Sequence, residues 1–356
     1  MSLQTSDDIG VVFRKTIGHY TVRHNGRELD CTLSSRLHKK LTYSTADPTS
    51  MRTRVQDVQE IGHVDPVAIG DRVRFVEAGD GHSTIPHASA NPNVVSGMIP
   101  HVSANPKVAC GMITEVLPRV SSFSRPAATA GQHVFEQVIA ANLDQIVPIF
   151  AAASPTPKWG LLDRYLVAAE AAGLPALIVI TKLDLAWKTS ELEKELDVYR
   201  KIGYPVHMVS SNTGAGIEEL KSLLQGKMSV LVGKSGVGKT SLLNAIQPEL
   251  GLRVKAVSAG ELGKGRHTTT HYEMFDLDFG GMLLDTPGMR EFGLWNVSAE
   301  ELADFFPEMA GYVGQCKFGL SCQHDREPGC EIRKAVMNGE IDPHRYKSYM
   351  NLRSEL

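Results

Sequence analysis

The sequence predicts a central α/β domain built on a parallel sheet, preceded by an all-β barrel and followed by a helical segment. Three observations predict this fold class. Short strand-like runs separated by turn residues fill the first 125 residues. From about residue 140, buried apolar runs alternate with helical patterns, as in folds with a parallel sheet. After residue 298 the pattern is helical and includes three clustered cysteines. We therefore expect domains at residues 1–125, 126–297 and 298–356.

The composition is that of a globular protein with no general affinity for nucleic acid. Hydrophobic residues make up 42% and charged residues 22% of the 356 residues, as in average globular proteins. A formal net charge of −3 provides no global attraction, so RNA contacts would require a local basic patch. The sequence has neither an apolar run of membrane-spanning length nor a secretory signal pattern. We expect a cytoplasmic protein without membrane contacts, whose cysteines are thiols or metal ligands rather than disulfides.

The N-terminal domain is predicted from short strands joined by tight turns. Asn25-Gly26, a strong signal for a two-residue hairpin turn, separates alternating runs at residues 20–23 and 29–33. Residues 70–76 and 111–117 match further strands, and so many short strands indicate a small barrel. Residues 85–113 contain two near-identical copies of one motif, too few for a solenoid. We predict an extended loop there, and a loop that contacts a partner is the alternative.

Strands and helices alternate in the central domain. Pro148 lies in the first apolar strand and indicates an edge position, because proline cannot donate a hydrogen bond to a ladder. Strands are predicted at residues 144–152, 176–180 and 206–209, and helices at residues 158–172 and 190–202.

A glycine-rich segment between an apolar strand and a helix predicts a phosphate-binding loop. Its glycines allow backbone amides to surround phosphate oxygens at the start of a helix. The Lys239 ammonium can reach the outer phosphates, and the Thr240 hydroxyl can bind Mg²⁺. The loop consists of Gly233, Lys234, Ser235, Gly236, Val237, Gly238, Lys239 and Thr240, and Ser241 continues the helix.

Two segments that follow the phosphate loop predict a metal-dependent switch. Asp285-Thr286-Pro287-Gly288 follows a buried strand, so the Asp285 carboxylate can hold Mg²⁺ through water and the Gly288 amide can meet a terminal phosphate. Residues 265–271 contain three threonines, and Gly260, Gly263 and Lys264 precede them. A threonine there could complete the metal shell only when a third phosphate is bound, which is how GTPase switches order. A polar surface loop is the alternative.

Asp184 indicates that the bound base is guanine. A carboxylate can accept from the guanine ring N–H and exocyclic amine together, whereas adenine would leave it unpaired. Lys182 can lie along the base, and Ser210, Ser211 and Asn212 follow the next strand, where an amide can meet the guanine carbonyl oxygen. Thr181 stands where this motif usually has Asn, so we expect weaker hydrogen bonding between the loops.

The order of these motifs predicts a circularly permuted GTPase. The guanine loop precedes the phosphate loop, whereas in an ordinary GTPase it comes last. A Ras-like enzyme has glutamine directly after the aspartate-loop glycine, but Met289 occupies that position here and cannot orient water. His267 or His271 could orient it instead. Exposed histidines without a catalytic role are the alternative.

Four potential metal ligands lie within 15 residues near the C-terminus. Cys316, Cys322, His324 and Cys330 are the residue types and number that a tetrahedral structural zinc site requires. Four protein ligands would leave no open coordination position, so we expect a structural rather than a catalytic Zn²⁺.

The chain resembles the circularly permuted GTPases of the RsgA/YjeQ type, which assist maturation of the small ribosomal subunit. The resemblance covers nearly the whole length and rests on residues 233–240, 265–270, 285–295 and 316–330. It implies an N-terminal OB-fold, a permuted P-loop GTPase domain and a C-terminal helical zinc-binding domain. It also implies one structural Zn²⁺, GTP or GDP with Mg²⁺, and weak GTP hydrolysis that the small subunit stimulates. By this resemblance Thr269 is the switch threonine that joins Mg²⁺, and His267 faces the water.

We therefore expect a monomeric GTP hydrolase whose partners are the small ribosomal subunit and its rRNA. Three alternatives remain open on the sequence. The first is a permuted GTPase of large-subunit assembly, although the N-terminal barrel and the C-terminal metal cluster argue against it. The second is a GTP-sensing RNA-binding protein with negligible hydrolysis, which Met289 supports. An ATPase is the third, and Asp184 disfavours it.

Overall fold

The described residues of the computed structural model form two compact units. One lies within residues 1–67 and 71–118, and the other comprises Ala68–Gly70 and Arg119–Leu356. The structure describes residues 8–16, 18–34, 37, 39–43, 55–60, 65–77, 109–127, 135–186, 189–251, 273–286 and 293–356. The duplicated motif at 85–108, the loop at 265–271 and residues Gly288 and Met289 lie outside these ranges.

The first unit is a closed five-stranded barrel. Its strands pair in the order β1-β2-β3-β7-β6 and return to β1, with only the β3–β7 pair parallel. This is the small barrel that the strand pattern predicted, in the OB-like arrangement that the family resemblance implied. The strands are β1 (Asp8–Thr16), β2 (His19–His24), β3 (Arg27–Leu33), β6 (Arg72–Glu77) and β7 (Ala109–Val116), and β4 (Lys39–Tyr43) pairs with β5 (Val55–Glu60) in a separate hairpin.

Side chains alternate between the two faces of these strands, and those that face inward fill the barrel. Asn25 and Gly26 both have positive φ angles, 48° and 75°, as the predicted hairpin turn requires. The turn sets the register of β2 against β3, so that every second residue faces inward. The interior is closely packed by Val12, Tyr20, Val22, Leu29, Cys31, Val67, Val73, Phe75 and Ile113.

The second unit is built on a six-stranded sheet with helices between the strands. The strand order is β12-β11-β10-β13-β15-β14, and only β14 is antiparallel. In chain order the elements are β8 (Ser122–Ala127), β9 (Phe135–Ala141), β10 (Gln145–Ala151), α1 (Trp159–Ala171), β11 (Ile178–Thr181), α2 (Thr189–Ile202), β12 (Val206–Met208), α3 (Ile217–Leu224), β13 (Met228–Val232), α4 (Lys239–Ile246), β14 (Glu273–Asp276) and β15 (Met282–Asp285). Strands β8 and β9 form a separate hairpin.

Strand β10 corrects the prediction drawn from Pro148. The strand lies between β11 and β13 and is buried throughout, so it is central rather than at an edge. Pairing with β11 occurs at Ile146↔Ala176 and resumes at Ile149↔Val179. Pro148 lies in this interruption of the ladder. The fold therefore accommodates the missing N–H by a gap in one ladder, while the ladder to β13 continues through Pro148.

The C-terminal segment of the second unit is helical and packs against helix α1. It contains α5 (Pro307–Ala310), α6 (Glu331–Met337) and α7 (Pro343–Glu355), with α7 against α1. Arg345 of α7 is almost fully buried and pairs with Asp163 of α1 and with Glu308 of α5, each at 2.6 Å. Among the described residues, no helix combines the length and apolarity needed to cross a membrane.

Candidate functional site

The phosphate loop connects β13 to α4 at the carboxyl edge of the parallel sheet. Gly236 and Gly238 have φ angles of 85° and 99°, a region that residues with a Cβ rarely adopt. A Cβ atom at Gly233 would lie 2.5 Å from the carbonyl oxygen of Ile149, so that position also requires glycine. Helix α4 begins at Lys239, and its first amides point toward the loop. The segment thus has the backbone shape and the donors of an anion site.

Lys239 of the phosphate loop and Asp285 at the end of β15 are oppositely charged groups of this site. The Lys239 ammonium is buried and donates hydrogen bonds to the carbonyl oxygens of Gly233 at 2.6 Å and Lys234 at 3.3 Å. Burial lowers the pKa of Lys239 and raises the pKa of Asp285, and the opposite charge of each partner opposes both shifts.

The Asp285 carboxylate fits a metal ion. Its Oδ1 atom is buried, and no hydrogen-bond partner for it lies among the described residues. A buried carboxylate oxygen without a partner is costly, and Mg²⁺ with its water ligands would satisfy it. Thr240 follows Lys239 in the first turn of α4, so the sequence places a hydroxyl ligand beside the phosphate loop.

Asp184 lies in a short 3₁₀ turn directly after β11 and carries two local hydrogen bonds. Ser210 Oγ donates to Asp184 Oδ1 at 2.6 Å, and Asn212 Nδ2 donates to Oδ2 at 3.4 Å. Ser210 Oγ in turn accepts from the Thr213 amide at 3.2 Å. The bond from Ser210 is the main reason that the pKa of Asp184 lies below its usual value. The carboxylate is exposed, charged and held in one orientation.

Thr181 and Lys182 connect the guanine loop to the phosphate loop. The Thr181 hydroxyl is buried and donates to the carbonyl oxygen of Val237 at 2.5 Å. We expected Thr181 to weaken this connection, but its hydroxyl makes the bond directly. Lys182 Nζ donates to the carbonyl oxygen of Gly236 at 2.7 Å and also to that of Ser154. Side-chain hydrogen bonds therefore connect the guanine loop to the backbone of the phosphate loop.

A cavity of about 430 Å³ lies between these loops. Its volume is within the usual range for small-molecule sites. Sequence reasoning missed Asn244 and Ala245, although both lie on the face of α4 that Ser241 marks, at i+3 and i+4. The lining residues are Thr181, Lys182, Asp184, Ser211, Asn212, Gly238, Ser241, Asn244 and Ala245. His267, Thr269 and Gly288 lie outside the described residues.

The four predicted zinc ligands form one buried cluster. Their ligand atoms all lie within 4.8 Å of one another. His324 Nδ1 is 3.5 Å from the sulfur atoms of both Cys316 and Cys330, and these two sulfurs are 3.9 Å apart. Tetrahedral zinc with bonds of about 2.0–2.3 Å places its ligand atoms about 3.4–3.8 Å apart. The donor set and its geometry therefore fit Zn²⁺, with Nδ1 as the coordinating nitrogen.

The protonation states of this cluster also suit a metal. Burial lowers the pKa of His324, which favours the neutral imidazole that coordinates zinc. Burial raises the pKa of Cys330 to about 12 and also raises that of Cys322. Thiols buried without a metal would keep their protons, so binding of Zn²⁺ would release protons. It would also stabilise the folded form of residues 316–330.

Comparison with known proteins identifies one family. Residues 116–295 match the family model described as RsgA GTPase. The small ribosomal subunit biogenesis GTPase RsgA of Gemmatimonas aurantiaca is 46% identical over 244 residues, which is 68% of this chain and 78% of the relative. The protein of the same name from Pseudomonas aeruginosa is 37% identical over 335 residues, 92% of this chain and 96% of the relative.

Two solved structures resemble the chain over almost its full length. YjeQ from Thermotoga maritima has a TM-score of 0.65 and 29% identity, covering 98% of both chains. YloQ, described as a circularly permuted GTPase, has a TM-score of 0.62 and 25% identity, covering 100% of this chain and 97% of the other. Both likenesses agree with the fold class that the motif order predicted.

Proposed function

This chain belongs to the RsgA GTPase family, and we propose that it assists late maturation of the small ribosomal subunit. As a member of this family it hydrolyses GTP, which implies a guanine nucleotide and Mg²⁺. The names of its relatives specify the small subunit, and so support that subunit over the large one. We further propose that the chain works in the cytoplasm as a monomer and that it contacts rRNA.

The structural observation that supports the GTPase activity is the cavity between the guanine loop and the phosphate loop. Asp184 and Gly238 line the same cavity, although the guanine loop precedes the phosphate loop in the chain. The permuted sequence order thus supports a single nucleotide site. We assign the base to Asp184, Lys182 and Thr181 with Ser210, Ser211 and Asn212, and the phosphates to residues 233–241 and Gly288.

We assign the phosphate charge to Lys239 and the metal to Asp285, Thr240 and Thr269. Mg²⁺ bound there would neutralise charge that develops on the phosphates during hydrolysis. Lys239 already lies buried within the loop, so it can meet phosphate oxygens by leaving two carbonyl oxygens. Thr269 would join only when a third phosphate is present, which would couple residues 265–271 to the nucleotide state.

We assign His267 to the attacking water, because Met289 offers no polar group at the usual glutamine position. A contact that forms mainly in the transition state affects turnover more than binding. His267→Ala should therefore lower stimulated kcat far more than it lowers GTP affinity. His271→Ala distinguishes the two histidines of the loop and should leave stimulated kcat near the parent value, whereas a loss in His271→Ala alone would move the role to His271. Equal losses of binding and turnover in His267→Ala would make His267 a structural residue.

The test of the proposed function is GTP turnover with purified ribosomal subunits. We expect small subunits to raise kcat by about tenfold or more, a fall of at least about 1.4 kcal/mol in activation free energy. Large subunits should leave turnover unchanged, and Lys239→Ala should abolish it in every mixture. Stimulation by large subunits alone would refute the small-subunit assignment, and so would turnover that neither subunit changes.

A further inference from the structure

The loop that carries His324 has an unusual backbone. His324 has a φ angle of 60°, in the left-handed region that residues other than glycine rarely occupy. This conformation turns Nδ1 toward the sulfurs of Cys316 and Cys330, each 3.5 Å away. Hydrogen bonds to this loop must therefore stabilise the left-handed conformation of His324.

The carboxylate of Glu327 accepts hydrogen bonds from three backbone amides of this loop. Glu327 Oε1 accepts a hydrogen bond from the Gln323 amide at 2.9 Å, and Oε2 accepts from the amides of Asp325 and Arg326 at 3.0 and 3.1 Å. These donors lie on both sides of His324 in the chain. Bonds to backbone amides, including its own, are also why the pKa of Glu327 lies below its usual value.

Helix α7 holds the carbonyl oxygens of the same loop. Tyr346 Oη donates to the His324 carbonyl oxygen at 2.5 Å, and Arg353 Nη1 donates to that of Gln323 at 3.0 Å. The amides thus face Glu327, and two of the carbonyl oxygens face α7. These bonds fix the backbone from which the His324 ring projects, and its Nδ1 lies 3.5 Å from the sulfurs of Cys316 and Cys330.

We propose that Glu327 is a positioning residue of the metal cluster, which presets the His324 loop for zinc and so determines how firmly the metal is retained. This inference rests on the proposed structural zinc site. Glutamine at position 327 could offer only one acceptor oxygen, and its amino group would face an amide N–H. Aspartate would keep the charge, but its side chain is one methylene shorter and could not reach the amides on both sides of His324.

The experiment measures zinc transfer from the full-length protein to a chromogenic chelator. Outer-shell substitutions typically weaken metal binding about 10- to 100-fold, so Glu327→Gln and Glu327→Asp should release zinc about that much faster. Asp325→Asn is the matched control, because it removes the same charge from the same loop. The Asp325 side chain pairs with the exposed Arg326 at 3.6 Å, so the rate of zinc release from Asp325→Asn should change less than about twofold.

Two further readouts separate positioning from general damage. Cobalt(II) substituted into the cluster should show an altered thiolate–cobalt absorption spectrum in both Glu327 variants and an unchanged one in Asp325→Asn. GDP affinity should stay at the parent value, which shows that the rest of the second unit is folded. If Glu327→Gln does not fold, Glu327→Asp decides the question.

The outcomes distinguish this inference from the zinc assignment itself. Zinc absent from the parent protein would overturn both. Zinc present in the parent, with release from both Glu327 variants at the parent rate, would overturn the positioning role alone. Equal acceleration in Asp325→Asn would also overturn it, since nearby negative charge rather than loop geometry would then explain retention.

Discussion

At the scale of single residues, we propose that Asp184 selects guanine. Its carboxylate is already ionised and oriented by Ser210, so it can meet two guanine donors without rearrangement. Thr181 shows how a residue that departs from the usual motif can keep its role. Its hydroxyl donates to the Val237 carbonyl oxygen. The side-chain amide of the usual asparagine would make this bond from a side chain that is one atom longer.

Asp184→Asn should weaken GTP binding and shift the preference toward xanthine nucleotides. Losing a charge-assisted bond costs about 1.5–3 kcal/mol, or about 10- to 150-fold in affinity. Competition of GDP and XDP for a fluorescent nucleotide measures both effects. Asp197→Asn removes an exposed carboxylate that pairs with Arg200 on α2 and should change neither affinity. Unchanged GTP affinity in Asp184→Asn would show that the base lies elsewhere.

At the scale of elements, α7 attaches the C-terminal segment to the nucleotide-binding core. Arg345 pairs with Asp163 and Glu308, and its guanidinium lies 4.6 Å from the centre of the Phe306 ring. Burial is the largest influence on the pKa of Arg345 and lowers it, but the two carboxylates more than offset this and keep the group charged. Asp163 also accepts from Tyr199 of α2 at 2.9 Å. Four helices, α1, α2, α5 and α7, thus meet at the buried guanidinium of Arg345.

Arg345→Met should destabilise the second unit strongly. It would leave two carboxylates buried without a cation, and breaking a buried pair in this way costs about 3–5 kcal/mol. Chemical denaturation followed by circular dichroism measures the free energy of unfolding. Arg326→Met is the matched control, because Arg326 is 91% exposed, and it should cost less than about 0.5 kcal/mol. Adding Asp163→Asn and Glu308→Gln to Arg345→Met should recover part of the loss.

Cys322→Ser should release zinc and loosen the C-terminal segment while leaving nucleotide binding intact. The cluster and the nucleotide cavity share no lining residue, so loss of the metal removes local folding energy only. Amide hydrogen exchange should rise from about residue 300 onward, and zinc content should fall below the one equivalent expected in the parent protein. Cys110→Ser, at an exposed cysteine of the barrel, should change neither. A parallel loss of GDP affinity would contradict this separation.

At the scale of the whole molecule, the sequence predicted the fold class because its signals are local. The Asn25-Gly26 turn, the glycine loop at 233–240 and the buried strands each specify their own structure within a few residues. Pro148 was misplaced because its tolerance depends on a gap in pairing with β11, which only the assembled sheet has. Arg345 and Asp163 are 182 residues apart, and no periodicity connects them.

Some residues of the candidate site could likewise be predicted from the sequence, and others only from the structure. The phosphate and guanine loops could be found from their motifs, and the structure places them around one cavity. Asn244 and Ala245 lie in that cavity because of the face that α4 presents, which the motif does not encode. Glu327 gave no signal either, since its role depends on three backbone amides rather than on neighbouring side chains.

The most direct test of the central claim is an experimental structure of the chain with Mg²⁺ and a non-hydrolysable GTP analogue. The claim is that the permuted motifs make one guanine nucleotide site. We expect the base against Asp184, the phosphates within residues 233–240 on Lys239, and the metal beside Asp285 and Thr240. Thr269 should reach the metal. A nucleotide bound with its base away from Asp184, or outside the cavity between these loops, would contradict the account.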